Sequence, residues 1–180
     1  MKKVLAIIDV QNDFITGALA NPDAQKVVPN IVKKIDEFDG EFIVCTFDTH
    51  YERNYAKSKE GQAIPEHCIW GSDGWRLEKS VEEAIKNNKH YPYVQEVIKP
   101  TFGSIDLPKY IESFVNDEEF EIEFVGFCTD ICVISNVLIT KASFPNQANI
   151  TVDSSCCAGL TPEKHEAALE TMRSCLINVK

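Results

Sequence analysis

Two cysteines, Cys128 and Cys132, stand in the stretch "EFVGFCTDICV" at residues 123–133. β-formers lead into it, and a helical pattern follows, so both thiols fall where a buried strand meets a helix. A thiol in that position can act as a nucleophile, a redox partner, a metal ligand or a small apolar filler. The spacing differs from the Cys-x-x-Cys redox motif, and no thioredoxin-like pattern surrounds it, which speaks against a redox pair. Other reactive residues hold comparable positions. Asp9 closes one apolar run, Asp48 and His50 follow a second, and Lys99 follows a third. In Asp48-Thr49-His50 two ligand-capable side chains share one side of an extended segment. Glu60 and His67 come later, in a long polar loop. An acid, a base, a thiol and candidate metal ligands are therefore all available, provided that the chain brings them to one place.

The elements that would do so are strands alternating with helices. Apolar runs of strand length occupy residues 3–9, 41–47, 94–98, 121–127, 149–154 and 176–179. Helical patterns occupy residues 25–38, 81–87, 107–114, 130–142 and 162–175. Thr161-Pro162-Glu163-Lys164 is a good helix start, a capping threonine followed by proline at the first helical position. Alternation of this kind predicts a mostly parallel sheet covered by helices, and the nearly unbroken apolar strands predict burial on both faces. Ligands of open α/β sheets collect outside the carboxyl ends of the strands. Asp9, Asp48, His50, Lys99, Cys128 and Cys132 all belong to that edge. Residues 49–77 break the rhythm with a long aromatic and polar segment, which marks a functional loop.

Composition limits the function classes. The chain has 180 residues, 44% of them hydrophobic and 26% charged, which suits one globular domain over residues 1–180. A formal net charge of −10 argues against nucleic-acid binding, because no basic surface is available to meet phosphates. The start, "MKKVLAIIDVQNDF", has two lysines before an apolar run, but Asp9 interrupts that run too early for a signal peptide. No stretch approaches the ~18 apolar residues of a membrane helix, and a cytoplasmic protein with no membrane partner is expected. Seven cysteines, an odd number lying mostly in apolar runs, argue against a disulfide framework. Cys156 and Cys157 are expected to pack beneath the end of the fifth strand, and His90 and His165 to lie on the surface.

Five motifs in order give the chain a family likeness: "IIDVQNDF" at 7–14, "FDTH" at 47–50, "IPEHCIWGSDGW" at 64–75, "IKPTFGS" at 98–104 and "GFCTDICV" at 126–133. Together they resemble the isochorismatase-like cysteine hydrolase family, and within it the nicotinamidase/pyrazinamidase branch. The resemblance implies a three-layer α/β/α fold with a six-stranded, mostly parallel sheet. It implies Asp9, Lys99 and Cys132 as the catalytic set, with Cys132 the nucleophile because the reactive thiol follows the Asp in "TDxCV". The chemistry suits these residue types. Lys99 can favour the thiolate by charge, and Asp9 can take the thiol proton and return it to a leaving ammonia. A place in the first turn of a helix would favour the anion further. The resemblance also implies a cis peptide at Phe127–Cys128, and an oxyanion hole from the backbone N–H groups of Cys128 and Cys132.

The same resemblance implies a metal at Asp48, His50 and His67. Where many relatives have a further histidine this chain has "YERNY", and Glu60 resembles the carboxylate that other members use instead. Such a set suits zinc, with manganese or iron also possible. Phe14 and Trp70 are candidates for the wall against a substrate ring. The implied reaction is hydrolysis of a small-molecule amide, nicotinamide to nicotinate and ammonia, through a thioester acyl-enzyme. The alternative is an isochorismatase-family hydrolase of another small amide, ureido or vinyl-ether substrate. A non-enzymatic member that uses the pocket only for binding is disfavoured by the intact Asp9, Lys99, Cys132 set. The family commonly forms homo-oligomers, dimers or tetramers.

Overall fold

The computed structural model describes residues 1–90 and 92–180. Six strands form one sheet in the order β3-β2-β1-β4-β5-β6, and every neighbouring pair is parallel. The strands are β1 Lys2–Ile8, β2 Phe42–Asp48, β3 Tyr93–Lys99, β4 Phe120–Phe127, β5 Ala148–Ala158 and β6 Asn178–Val179. The helices are α1 Asn12–Ile15, α2 Pro22–Glu37, α3 Glu52–Tyr55, α4 Lys79–Asn87, α5 Leu107–Val115, α6 Ile134–Ser143 and α7 Pro162–Ser174. A π-helical turn, Thr129–Val133, precedes α6.

The side-chain alternation of β1 explains the three layers. Val4, Ala6 and Ile8 enter one core, with Leu107 and Ile111 of α5, Val137 of α6 and Met172 of α7. Leu5 and Ile7 enter the opposite core, with Val28, Ile31 and Ile35 of α2 and Val81 of α4. Successive residues of a strand point to opposite faces, so a central strand must be apolar throughout to serve both cores. This is the three-layer α/β/α arrangement with a six-stranded parallel sheet that the motifs imply.

Three elements differ from the sequence expectation. β5 runs on through Cys156 and Cys157 to Ala158, so these cysteines belong to the strand and are buried on it. Its pairing with β4 shifts register between Phe124 and Gly126, and that irregularity hides the continuation. The loop of residues 49–77 contains the short helix α3 and is tied to the sheet edge by bridges from Gln11 to Leu77 and from His50 to Ile69. The helix expected from residue 130 begins instead as the π turn, because Val133 N–H bonds the Cys128 carbonyl, five residues back. Gly126, at the crossing of β4 and β1, has φ +119°, and a Cβ there would stand 2.1 Å from the Ile8 carbonyl oxygen. Only glycine fits so close an approach in that backbone region.

Candidate active site

The carboxyl ends of β2 and β4 deliver Asp48, Cys128 and Cys132 to one cavity of about 530 Å³, lined also by Phe14, Glu60 and His67, and those of β1 and β3 bring Asp9 and Lys99 up behind Cys132. Asp9 follows β1 directly and is fully buried in the left-handed backbone region, φ 48°. Asp is among the few residues that tolerate this conformation. Lys99 ends β3 and is 1% exposed, so its charge must be met inside the protein. Its ammonium lies 2.6 Å from Asp9 Oδ2 and 3.7 Å from Asp48 Oδ1, and donates to the Thr101 carbonyl at 3.1 Å. The Cys132 sulfur is 3.6 Å from the same nitrogen. The Thr46 hydroxyl donates to Asp9 Oδ1 at 2.6 Å and fixes the carboxylate from β2.

Burial sets the protonation of this group. It pushes the Asp9 carboxyl above its usual range, although the Lys99 ammonium pulls the other way. It also pushes the Cys132 thiol well up, and the Asp9 charge adds to this against the opposing pull of Lys99. At rest Cys132 is therefore a neutral thiol, near Asp9 and in reach of the Lys99 ammonium that pairs with it. The sequence expectation that Lys99 favours the thiolate holds for the sign of its influence, but desolvation is larger. Burial likewise pushes Cys128 up to about 12.

A second cluster adjoins the first. One ligand atom each from Asp48, His50, Glu60 and His67 lies within 4.8 Å of the others. Asp48 Oδ2 is 3.2 Å from His50 Nε2 and 3.0 Å from His67 Nε2, and Glu60 Oε1 is 3.6 Å and 3.7 Å from the same nitrogens. Glu60 Oε1 is buried and has no hydrogen-bond partner among the described residues. His67 Nδ1 lies 2.8 Å from the Pro65 carbonyl, which can only accept, so the ring proton belongs on Nδ1. Nε2 then turns a lone pair on a carboxylate oxygen, an arrangement that needs a proton or a cation between them. Two imidazole nitrogens and two carboxylate oxygens suit a divalent first-row metal, and a backbone carbonyl on the second ring nitrogen is the usual support for such a ligand. The donor set thus fits the metal that the sequence suggests, Glu60 included.

The electrostatics carry the same demand. Burial lowers the His50 pKa, but the neighbouring carboxylates of Asp48 and Glu60 outweigh it and push it up to about 9. Burial raises Asp48, yet the two imidazoles and Lys99 hold its carboxyl well below the usual carboxylate range. Two carboxylates enclosed here require positive charge. Asp48 is common to both clusters, with Oδ2 on the histidines and Oδ1 toward Lys99.

Phe14 lines the cavity and meets the His67 ring edge-on at 5.6 Å between centroids. Trp70 is not among the lining residues. Its N–H bonds the His50 carbonyl at 2.8 Å, and its half-exposed ring packs 4.6 Å from Trp75. The structure therefore does not bring Trp70 to the cavity as the expected ring wall, and places Phe102, Ile131 and Leu160 there with Phe14. His90 is exposed as expected, whereas His165 is half-buried with Nδ1 2.8 Å from the Thr129 hydroxyl.

Several supporting residues escape a reading by residue type. The Gln11 amide takes the Asp48 N–H at 2.8 Å and donates to the Asp48 carbonyl at 2.9 Å, clamping the backbone of the shared carboxylate. Asp13 accepts from Cys68 N–H at 2.7 Å and Ala18 N–H at 2.9 Å, holding the loop that presents His67. Both stand in the "DVQND" run, which was the available signal. The Tyr55 hydroxyl, 3.1 Å from His67 Nδ1, had none. A larger cavity of about 610 Å³ between Trp75, Ile85 and Val94 carries no comparable cluster among the described residues.

Comparison with known proteins agrees with this geometry. The family model of the isochorismatase domain matches residues 3–179, and the chain belongs to that family. The crystal structure of the nicotinamidase/pyrazinamidase of Bacillus subtilis is similar with a TM-score of 0.85 at 27% identity, over 99% of this chain and 99% of that one. The pyrazinamidase of Pyrococcus horikoshii in complex with zinc is similar with a TM-score of 0.78 at 25% identity, over 100% of this chain and 99% of that one. The nicotinamidase of Saccharomyces cerevisiae is 24% identical over 98% of both chains. No helix among the described residues is long and apolar enough to cross a membrane.

Proposed function

We propose that this member of the isochorismatase family is a nicotinamidase, which hydrolyses nicotinamide to nicotinate and ammonia through a thioester on Cys132. The observation that carries the reading is that the Asp9–Lys99–Cys132 group and the four-ligand cluster meet at one carboxylate, Asp48, and that Cys132 and Asp48 line one cavity. The similarity to a zinc-bound pyrazinamidase and to a nicotinamidase supports it.

Cys132 is protonated at rest and Asp9 is the nearby carboxylate able to take its proton, so attack and proton transfer occur together. Sγ forms the bond to the carboxamide carbon as its proton passes to Asp9. Backbone N–H groups of Cys128 and Cys132 are the proposed donors to the oxygen that gains charge. Asp9 returns the proton to the departing nitrogen, and ammonia leaves a thioester on Cys132. Water, giving a proton to Asp9, then adds to the thioester carbon, and nicotinate leaves as the thiol is restored. Lys99 keeps the Asp9 carboxylate in place throughout and balances the negative charge that Asp9, Asp48 and sulfur bring together.

A divalent cation at Asp48, His50, Glu60 and His67 would supply a Lewis acid for the ring nitrogen of a pyridine carboxamide. The apolar walls, Phe14, Ile64, Phe102, Ile131 and Leu160, suit a flat neutral ring. No arginine or lysine is among the described lining residues, so a multiply charged substrate such as isochorismate would lack partners.

Ammonia release tests the reading. The metal-loaded protein should hydrolyse nicotinamide and pyrazinamide, which place a ring nitrogen meta to the carbon bearing the amide. It should barely touch benzamide, which has the ring and the amide without that nitrogen. Equal rates on benzamide and nicotinamide, or hydrolysis of a ureido compound alone, would overturn the substrate while leaving a cysteine hydrolase.

A further inference from the structure

The helix that carries the nucleophile and the loop that follows Lys99 are joined by one side chain. Asn136, in the first turn of α6, is fully buried. Its Nδ2 donates to the Cys132 carbonyl at 2.8 Å and to the Phe102 carbonyl at 3.2 Å, and its Oδ1 accepts the Ser104 N–H at 3.0 Å. The three partners fix the amide orientation, since the carbonyls can only accept and the N–H can only donate. The tied loop contains Thr101, whose carbonyl receives the Lys99 ammonium, and Phe102, which lines the cavity. Gly103 lies between the two residues bonded to Asn136, Phe102 and Ser104, and against α6. A Cβ there would come within 2.6 Å of Ile139 Cδ1 and 3.1 Å of Ser135 Cβ, so the loop is seated closely on the helix.

From this we infer that Asn136 is a positioning residue of the active site: it sets the distance between the Lys99 ammonium and the Cys132 sulfur by docking the 100–104 loop onto α6. A shorter residue would fill less of the space but leave the loop tied at neither end. Thr101 would then carry Lys99 away from the thiol, which is left facing Asp9 and Asp48 with less of the balancing charge. The inference deepens the assignment of Cys132 as nucleophile and rests on it, but not on the identity of the substrate.

Iodoacetamide alkylation of Cys132, followed on its own peptide by mass spectrometry across pH, tests it without any substrate. Groups that face the thiol are Asp9, Lys99, Cys128 and Asp48, and Asn136→Ala alters none of them chemically. In that variant the Cys132 profile should move to higher pH, with alkylation about tenfold slower on its rising limb, as loss of a nearby cation dictates. Gly103→Val, which pushes the same loop off α6 without touching the amide, should move the profile the same way and decides the matter where Asn136→Ala does not fold. A purely structural asparagine would lower the melting temperature and leave the profile where it was. That result, in either variant, would overturn the inference. Failure to release ammonia from nicotinamide would bear on the substrate and leave these profiles unaffected.

Discussion

Cys132 and Cys128 have the same side chain, line the same cavity and are both buried, yet the structure gives them different partners. Cys132 has Lys99 Nζ at 3.6 Å and the Asp9 carboxylate nearby, the proposed proton acceptor. Cys128 closes the π turn with its carbonyl, and its N–H is the proposed oxyanion donor. Cys132→Ala should therefore abolish turnover, because the other thiol of the cavity, Cys128, has no such contact with Lys99. Cys128→Ser should keep most of it, since the backbone is unchanged and serine is of similar size. Steady-state rates on the two purified variants decide this, and comparable loss in both would revive a paired role. Asp9→Asn should be nearly as damaging as losing the thiol, because an amide can hold the hydrogen bond but cannot carry the proton. These residues stood out in the sequence because they lie at or just past the ends of apolar runs of strand length, and the family resemblance implied their roles. The protonation state was not, because burial of Cys132 to 4% exposure is a product of the whole fold.

At the scale of elements, regular patterns were legible and irregular ones were not. β1 from Val4 to Ile8 and β2 from Phe42 to Cys45 are apolar without interruption, and β4 is so from Phe124 onward, so their places could be read from residue type. The extension of β5 through Ser155 to Ala158 follows a register shift, and no local pattern announces it. The loop over residues 49–77 was recognisable as functional, but its path depends on Asp13 and Gln11, bonds made from far along the chain. Side-chain ties between layers were equally hidden. Lys34 of α2 reaches Asp153 of β5 at 2.8 Å and Glu123 of β4 at 3.0 Å. Burial raises the Asp153 carboxyl, but the Lys34 hydrogen bond prevails and its pKa is lowered. A depressed carboxylate stabilises the fold above its unfolded pKa, and that stability disappears as pH falls through the folded value. Asp153→Asn should accordingly cost on the order of 1 kcal/mol at neutral pH, discounted for partial exposure. The difference from the parent in urea midpoint should shrink to nothing in strong acid. A gap that stays constant from neutral to acid pH would mean that the ion pair is not its source.

The whole molecule couples the two clusters, because Asp48 belongs to both and Gln11 holds its backbone from the turn after β1. Ligands for the metal come from the end of β2, from the loop and from the segment before Cys68, and only the folded chain brings them within 4.8 Å. A cation bound there is therefore bound by the native state alone, and its binding energy adds to folding stability. At a free metal concentration about a hundredfold above the dissociation constant the gain is about 2.7 kcal/mol. For a chain of this size that corresponds to a rise of about 5–10 °C in melting temperature. Calorimetry of the protein treated with chelator, and then with zinc, manganese or ferrous iron, should show that rise. His67→Ala should lose most of it, since the remaining three donors cannot close the set. Cys132→Ala, which removes the nucleophile and no ligand, should keep all of it. Glu60→Gln should keep part, because a neutral amide oxygen can still coordinate but no longer balances the metal charge. Chelation should at the same time end hydrolysis of nicotinamide, and restored metal should return it. A melting temperature indifferent to metal in the parent protein, with nicotinamide still hydrolysed after chelation, would remove the cation from the site and leave Asp48, His50, Glu60 and His67 as a protonated network that only orders the cavity wall.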